Sequence, residues 1–417
     1  MTNLRAGGFR SEAIGQRSET VRRSNLAVIA RQLHLYAPLS RSQLVARTGL
    51  TRSAIRGLIG ELLANGLVSE ERSESLGVPG RPSTLVRPNT LGAVVLALEV
   101  SVDSLAAAMV GFGGTVHRSV RVERPRAHLA PDQIVADLVE LARPLLRRVR
   151  DRQRLIGVGV AMVGIVRQVD GLVRFAPNLG WRDVPLGSML SAALAVDVPV
   201  LVANEADLGV LAEHRRGAAR GIRDAVYIAG EVGVGGGILV DGTPLRGADG
   251  YAGEIGHLPV NPTGRNCRCG SVGCLETEVG ERALLDAAGR PPDGGPDELE
   301  RLLADAEAGD QRALDALRRV GEWLGVGLAA VVNAFNPRVI VLGGLFDRIH
   351  PFIIETVESR LAARALDAPR ELVRIVPAAL GTEAVLLGAA EHAFEPFLSD
   401  PAAWLAPRDG EIRLASA

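Results

Sequence analysis

Two stretches of this chain read alike, and together they bound the fold. "AVVLALEVSVDSLAAAMVGF" (Ala93–Phe112) gives two apolar strands joined by the polar turn "SVDS". "DAVYIAGEVGVGGGILVDG" (Asp224–Gly242) gives a strand, a Gly-rich turn and a strand. Near-continuous apolar strands are buried on both faces. "IGVGVAMVGIV" is a further buried strand with Gly at its exit. "VPVLVANEA" is a strand entering a helix that runs through Arg215, and "PRVIVLGGL" is a late strand behind a long helix. With a helix over about Pro131–Arg150, this alternation predicts an α/β fold. One turn-bearing hairpin per half predicts two related lobes.

The segment ahead of Thr90 differs in charge. Net charge over the 417 residues is −1. Residues 1–90 hold thirteen Arg against six Glu and no Asp, which gives +7 there and leaves −8 for the rest. A basic piece on an acidic body points to a nucleic-acid module. All 47 basic residues are Arg. Hydrophobic residues make up 47%, enough for a sizeable core, and with aromatics at 3% Val, Leu and Ala must fill it. Residues 1–20 lack the apolar stretch of a secretion signal, and no apolar run reaches the roughly 18 residues of a membrane span. A cytoplasmic protein without membrane attachment is expected.

Residues 1–20 read as a flexible arm. From Val21, Leu26, Ile29, Ala30 and Leu33 fall at helical spacing. In "PLSRSQLVARTGLTRSAIRGLIGELLANGLV", Ser40 and Gln43 form a capping box, Gly49 makes a turn and Thr51 caps the next helix. That second helix turns Ile55, Leu58, Ile59 and Leu62 inward. Thr51, Arg52, Ser53 and Arg56 face outward, and Arg41 opens the first helix. "LVSEE" and "STLVR" then form a hairpin around "SLGVPGRP", a wing with Arg81 placed to enter a minor groove. A winged helix-turn-helix that binds DNA through these six residues is expected. An ordinary helical bundle with a solvated Arg face is the other reading of the same pattern.

"GYAGEIGHLPVNPTGRNCRCGSVGCLE" (Gly250–Glu276) makes the resemblance specific, with "APNLGWRDVPL", "NEADLGVLAEH" and "NPRVIVLGG" beside it. The chain resembles the ROK family of repressors, open reading frames and sugar kinases, from about Val21 to about Phe394. The resemblance implies an actin-like, ribonuclease H-like fold of two lobes around a cleft. It also implies that a winged helix in front marks a repressor rather than a kinase. The expected organisation is an arm over 1–20, a winged helix-turn-helix over 21–88, and a first lobe over 91–202 completed by 378–397. A second lobe over 203–377 and a tail over 398–417 complete it.

All three cysteines fall within eight positions. Within the family pattern the spacing His257-x9-Cys267-x-Cys269-x4-Cys274 reads as a tetrahedral, structural Zn²⁺ site with no position left for water. Gly270 and Gly273 would fold the loop around the ion; reduced, unliganded thiols are the alternative. The resemblance carries a sugar pocket onto Asn178, Asn204 with Glu205, Glu254 with His257, and Glu276. Carboxylates and amides hold paired hydroxyls, and cleft-facing strand ends are where α/β folds bind ligands. His257 can serve metal and sugar with different ring nitrogens.

The kinase pattern breaks at two turns. Family kinases have Asp after the Asn as catalytic base, where this chain has Glu205, as do the family's xylose-type repressors. The first phosphate turn of the kinases, Asp-x-Gly-Gly-Thr, is replaced by "LEVSVDS" (Leu98–Ser104), which has no Gly and adds Glu99 and Asp103. The second turn keeps Gly233, Gly235, Gly236 and Gly237 but carries Glu231 and Val232 in place of Gly-Thr. The reading is a sugar-responsive transcriptional regulator, a repressor without kinase activity. It would bind operator DNA as a homodimer or dimer of dimers and take a small sugar as effector. A bifunctional regulator that also phosphorylates sugar with ATP is the alternative.

Overall fold

The structure, a computed structural model, describes residues 18–72, 84–126, 130–147 and 154–405. It forms two compact units: one holds the described residues up to Pro88 together with those from Pro396 onward, and the other spans Asn89–Glu395.

The first unit opens with α1 (Ser18–Tyr36), which buries Leu26, Ile29, Ala30 and Leu33. A two-residue strand, β1 (Leu39–Ser40), leads into α2 (Arg41–Thr48). Ser40 Oγ accepts from the Gln43 amide at 3.2 Å, and Gln43 Oε1 accepts from the Ser40 amide at 2.7 Å, so the capping box closes in both directions. Gly49, at φ 71°, ends α2 in the left-handed region. Thr51 Oγ1 then caps α3 (Arg52–Ala64), accepting from the Ala54 amide at 3.2 Å. Ile55, Leu58, Ile59 and Leu62 of α3 are buried. β2 (Val68–Arg72) and β3 (Thr84–Pro88) pair antiparallel, and β1 adds to β3. This is the winged helix-turn-helix fold; the wing tip with Arg81 lies outside the described residues.

The second unit contains two five-stranded sheets of the same layout. In the first, β4 (Ala93–Val100) and β5 (Ser104–Gly111) form the antiparallel hairpin, buried at every position. β6 (Thr115–Glu123) follows at the edge. After α4 (Pro131–Leu146), β7 (Arg154–Met162) pairs parallel to β4. A small sheet of β8 (Ile165–Arg167), β9 (Leu172–Ala176) and β10 (Trp181–Val184) comes next, then α5 (Leu186–Leu194). β11 (Val200–Asn204), parallel to β7, completes the order β11-β7-β4-β5-β6.

The second sheet repeats that plan. α6 (Glu205–Arg216) leads to β12 (Ala225–Gly230), β13 (Val234–Val240) and β14 (Thr243–Pro244). The long loop after β14 ends in α7 (Leu275–Val279), α8 (Glu281–Ala287), α9 (Gly295–Glu307) and α10 (Gln311–Phe335). β15 (Val339–Gly344), α11 (Leu345–Ala362), α12 (Asp367–Arg370) and β16 (Arg374–Pro377) follow. The order β16-β15-β12-β13-β14 matches the first sheet strand for strand: a hairpin, an edge strand beyond it, and two parallel strands on the other side. This duplicated layout is the two-lobed, ribonuclease H-like fold.

Glycines permit the close packing of helix on sheet. A Cβ at Gly237 on β13 would lie 2.2 Å from the Ala206 carbonyl oxygen of α6, so the Gly-rich strand serves helix packing. A Cβ at Gly159 on β7 would lie 1.9 Å from the Ala389 carbonyl oxygen. That contact sets α13 (Ala384–Ser399) against the first sheet. The segment read from sequence as a tail beyond residue 398 starts instead inside this helix. α13 runs to Ser399, α14 (Ala402–Leu405) follows, and residues from Pro396 group with the first unit, where Asp400 pairs with Arg23 of α1.

Candidate functional site

A cavity of about 410 Å³ lies between the two sheets' strand ends. Its lining includes all six residues expected at a sugar site: Asn178, Asn204, Glu205, Glu254, His257 and Glu276. Asn178 comes from the β9–β10 turn, Asn204 ends β11, and Glu205 begins α6. Glu254 precedes a single 3₁₀ turn that His257 ends, and Glu276 lies in α7. The β12–β13 turn, Glu231–Gly233, forms another wall. A Cβ at Gly233 would meet Glu276 Oε2 at 3.0 Å, so Gly there keeps room for that carboxylate.

The six are not equivalent. Asn204 is largely committed to structure: its Oδ1 caps α6 by accepting from the Ala206 and Asp207 amides at 2.8 and 3.4 Å. Its Nδ2 donates to the Gly164 carbonyl at 2.9 Å. Sequence reasoning assigned it to the ligand; the structure gives it first to the strand–helix junction. Asn178 Oδ1 accepts from the Arg268 guanidinium, a cavity residue the sequence reading missed. The missed signal was its position between two expected metal ligands. The Glu254 carboxyl is raised from its ordinary value by burial, with His257 opposing and Glu276 adding to the shift.

Glu205 and Glu231 also line the cavity, and Glu99 and Asp103 lie near them outside that lining. Glu99 on β4 is buried and pairs with Arg121 of β6 through two bonds of 2.8 and 3.0 Å. Asp103 pairs with Arg126 at 3.1 Å, and Arg126 also holds Glu281 at 2.6 Å. Ser101 Oγ donates to Glu231 Oε2 at 3.1 Å. Burial, with Glu99 and Asp103 nearby, raises Glu231 to about 7. Burial and the charges of Glu231, Glu99 and Asp103 raise Glu205 well above its ordinary value. The Arg partners of Glu99 and Asp103 were not legible in the sequence: Arg121 lies on β6, which carries no strand-like apolar pattern, and Arg126 lies just beyond it.

His257, Cys267, Cys269 and Cys274 converge, with one ligand atom from each within 4.8 Å of the others. His257 Nδ1 lies 3.6 Å from Cys267 Sγ, and Cys269 Sγ lies 3.7 Å from Cys274 Sγ. The His257 Nε2 faces Glu254 at 3.9 Å, so its two nitrogens address different sites. A tight turn closes the loop, with the Cys267 amide on the Ser271 carbonyl at 2.8 Å and Gly270 at φ 97°. A Cβ at Gly273 would lie 1.6 Å from the Asn261 carbonyl oxygen, which only Gly accommodates. This donor set can hold a metal ion.

On the first unit, Thr51, Arg52, Ser53 and Arg56 are exposed along one face of α3. Among the described residues, Arg52 and Arg56 make no ion pair. Arg41 instead pairs with Glu70 of β2 at 2.7 Å, which ties α2 to the wing.

Comparison with known proteins places these features. The ROK family profile matches residues 95–395. The chain belongs to the ROK family. A xylose repressor of Bacillus spizizenii is 28% identical over 91% of this chain and 97% of its own. The crystal structure of a ROK family transcriptional regulator, a homolog of the E. coli MLC protein, superposes with a TM-score of 0.75 at 26% identity, over 91% of this chain and 97% of that one. A ROK family glucokinase of Streptomyces griseus, solved with glucose and AMPPNP, gives 0.63 at 28% identity, over 72% of this chain and 99% of that one. Regulators therefore match both units, whereas the kinase is matched over its full length by less of this chain. No helix among the described residues is long and apolar enough to cross a membrane.

Proposed function

We propose that this ROK family protein is a sugar-responsive transcriptional repressor. The observation that carries the reading is the joining of a winged helix-turn-helix to a two-lobed cleft, in a chain aligned nearly end to end with repressors. Thr51, Arg52, Ser53 and Arg56 contact operator DNA, with Arg81 on the wing and Arg41 bracing it. Two half-sites require two recognition helices, so the working form is a homodimer or a dimer of dimers. Sugar in the cleft acts through its differential affinity for the DNA-competent and DNA-incompetent states.

Structural zinc fits the four-residue cluster. A tetrahedron with Zn–S bonds of about 2.3 Å has edges of roughly 3.7–3.8 Å, and the Cys269–Cys274 sulfur separation is 3.7 Å. In the structure the Cys267 thiol donates to Glu276 Oε1 at 2.9 Å. A metal-bound thiolate has no such proton to give. Zinc would thus release Glu276 to the cavity, where Glu254 and His257 also face the sugar.

Kinase activity is absent on this reading. Glu99, Asp103 and Glu231 stand at the turns where family kinases cradle phosphate, and their charges would repel a nucleotide's phosphates there. The test is selection of a binding duplex from a random-sequence pool, followed by mobility shifts with a sugar panel. Failure to enrich any sequence would reject the DNA-binding reading. Phosphorylation of a sugar by ATP above background would restore the bifunctional alternative.

A further inference from the structure

We propose that the effector carries an anionic group, a carboxylate or a phosphate ester, and that Arg268 receives it. This rests on the reading of the cleft as a sugar site and narrows its ligand class.

Three guanidinium groups line the cavity, from Arg265, Arg268 and Arg282. Arg265 is neutralised by Asp286 at 2.9 Å, and Arg282 by Asp293. Among the described residues Arg268 has no carboxylate at ion-pair distance. Its hydrogen bond goes to the neutral amide oxygen of Asn178. Among the described residues, Arg268 is therefore the cavity guanidinium without a carboxylate in direct contact.

Its placement is constrained. Arg268 stands between Cys267 and Cys269, and the Gly270 amide closes that turn onto the Cys267 carbonyl at 3.0 Å. The backbone that carries the guanidinium is held by the same loop that gathers the metal ligands. Chain-wise it reaches from this loop, in the second lobe, to the β9–β10 turn in the first.

The chemistry favours an exchange of partners. A guanidinium bonds a carboxylate or phosphate more strongly than a neutral amide, and its planar fork can make two parallel bonds to either. An incoming anion would take Arg268 from Asn178. The freed Asn178 oxygen could then accept from a sugar hydroxyl. A neutral sugar offers no such replacement and must compete with the Arg268–Asn178 bond or leave it in place. The acidic lining, Glu205, Glu231, Glu254 and Glu276 beside the Arg265-paired Asp286, suits hydroxyl donors on the rest of the ring, so the anion is confined to the Arg268 end.

Calorimetry and thermal shift on the zinc-loaded full chain would test this with matched probes: xylose against xylonate, glucose against glucuronate, and glucose against glucose 6-phosphate. At least one anionic probe should bind on the order of tenfold tighter than its neutral counterpart. The carboxylate and phosphate arms separate the two sources of charge. Arg268→Gln should collapse that ratio toward one, and Arg268→Lys should recover part of it, with metal content as the folding control. Neutral sugars binding as tightly as their anionic forms, or a ratio that survives in Arg268→Gln, would overturn the proposal while leaving the sugar site standing. Binding by no probe of either kind would overturn both.

Discussion

Glu231 shows how one side chain can mark the difference between a phosphate turn and a sealed wall. Its carboxyl is raised from 4.5 to about 7 by burial and by Glu99 and Asp103, with Ser101 and Arg121 opposing. Asp207 is likewise raised from 3.8 to about 7, by burial and by the charge of Glu254. Both groups bind protons in the folded state that the unfolded chain has already lost. Stability therefore falls as pH rises through the window from about 4 to 7 and levels off above it. Between pH 5 and 8 the Tm should drop by roughly 2 °C or more. Glu231→Gln should flatten part of that slope, and an unchanged slope would remove Glu231 as its source. The sequence identified Glu231 as out of place in a kinase, but its protonation depends on neighbours brought from β4 and the β4–β5 turn. Asn204 was legible as a cleft residue, but its role as the cap of α6 was not, because capping and ligand binding call on the same amide. On α3, Arg52→Ala or Arg56→Ala should weaken operator binding on the order of tenfold while leaving Tm within a degree or so. Unchanged affinity would reject this face as the DNA contact.

At the scale of elements, the hairpins, α2, α3 and the Cys loop were legible because each carries a local signal: apolar runs, cap residues or ligand spacing. The edge strand β6 was not legible, since "TVHRSVRVE" is exposed at nearly every position and takes its conformation from pairing with β5. The β8–β10 sheet escaped for a related reason: its strands are three to five residues long and have no clear period. The Cys loop should behave as one unit. Cys269→Ser should lose bound zinc, measured by elemental analysis, and with it the thermal shift produced by sugar. Full zinc content in that variant would reject the four-ligand site. Gly159→Ala forces a new methyl against the Ala389 carbonyl and should cost about 1–3 kcal/mol by denaturant unfolding. A neutral result would mean that α13 is free to shift from the sheet.

The whole molecule repeats one sheet plan twice and places a cavity where the two meet. That duplication was visible in outline from the paired hairpins, because each half spells out its own strand–turn–strand. Which branch of the family the chain follows is indicated elsewhere, by the unit in front of the lobes and by a first turn that has no glycine and carries Glu99 and Asp103. On this account the cleft has kept its sugar-facing side, lost its phosphate side, and become a sensor. The most direct measurement is the operator affinity of the zinc-loaded protein, read by fluorescence anisotropy on a selected duplex, with and without each sugar that raises its Tm. The account predicts that at least one such sugar changes operator affinity by tenfold or so, within the usual range of allosteric coupling. If sugars stabilise the protein yet leave operator affinity unchanged, cleft and DNA-binding unit are not coupled, and the central claim fails.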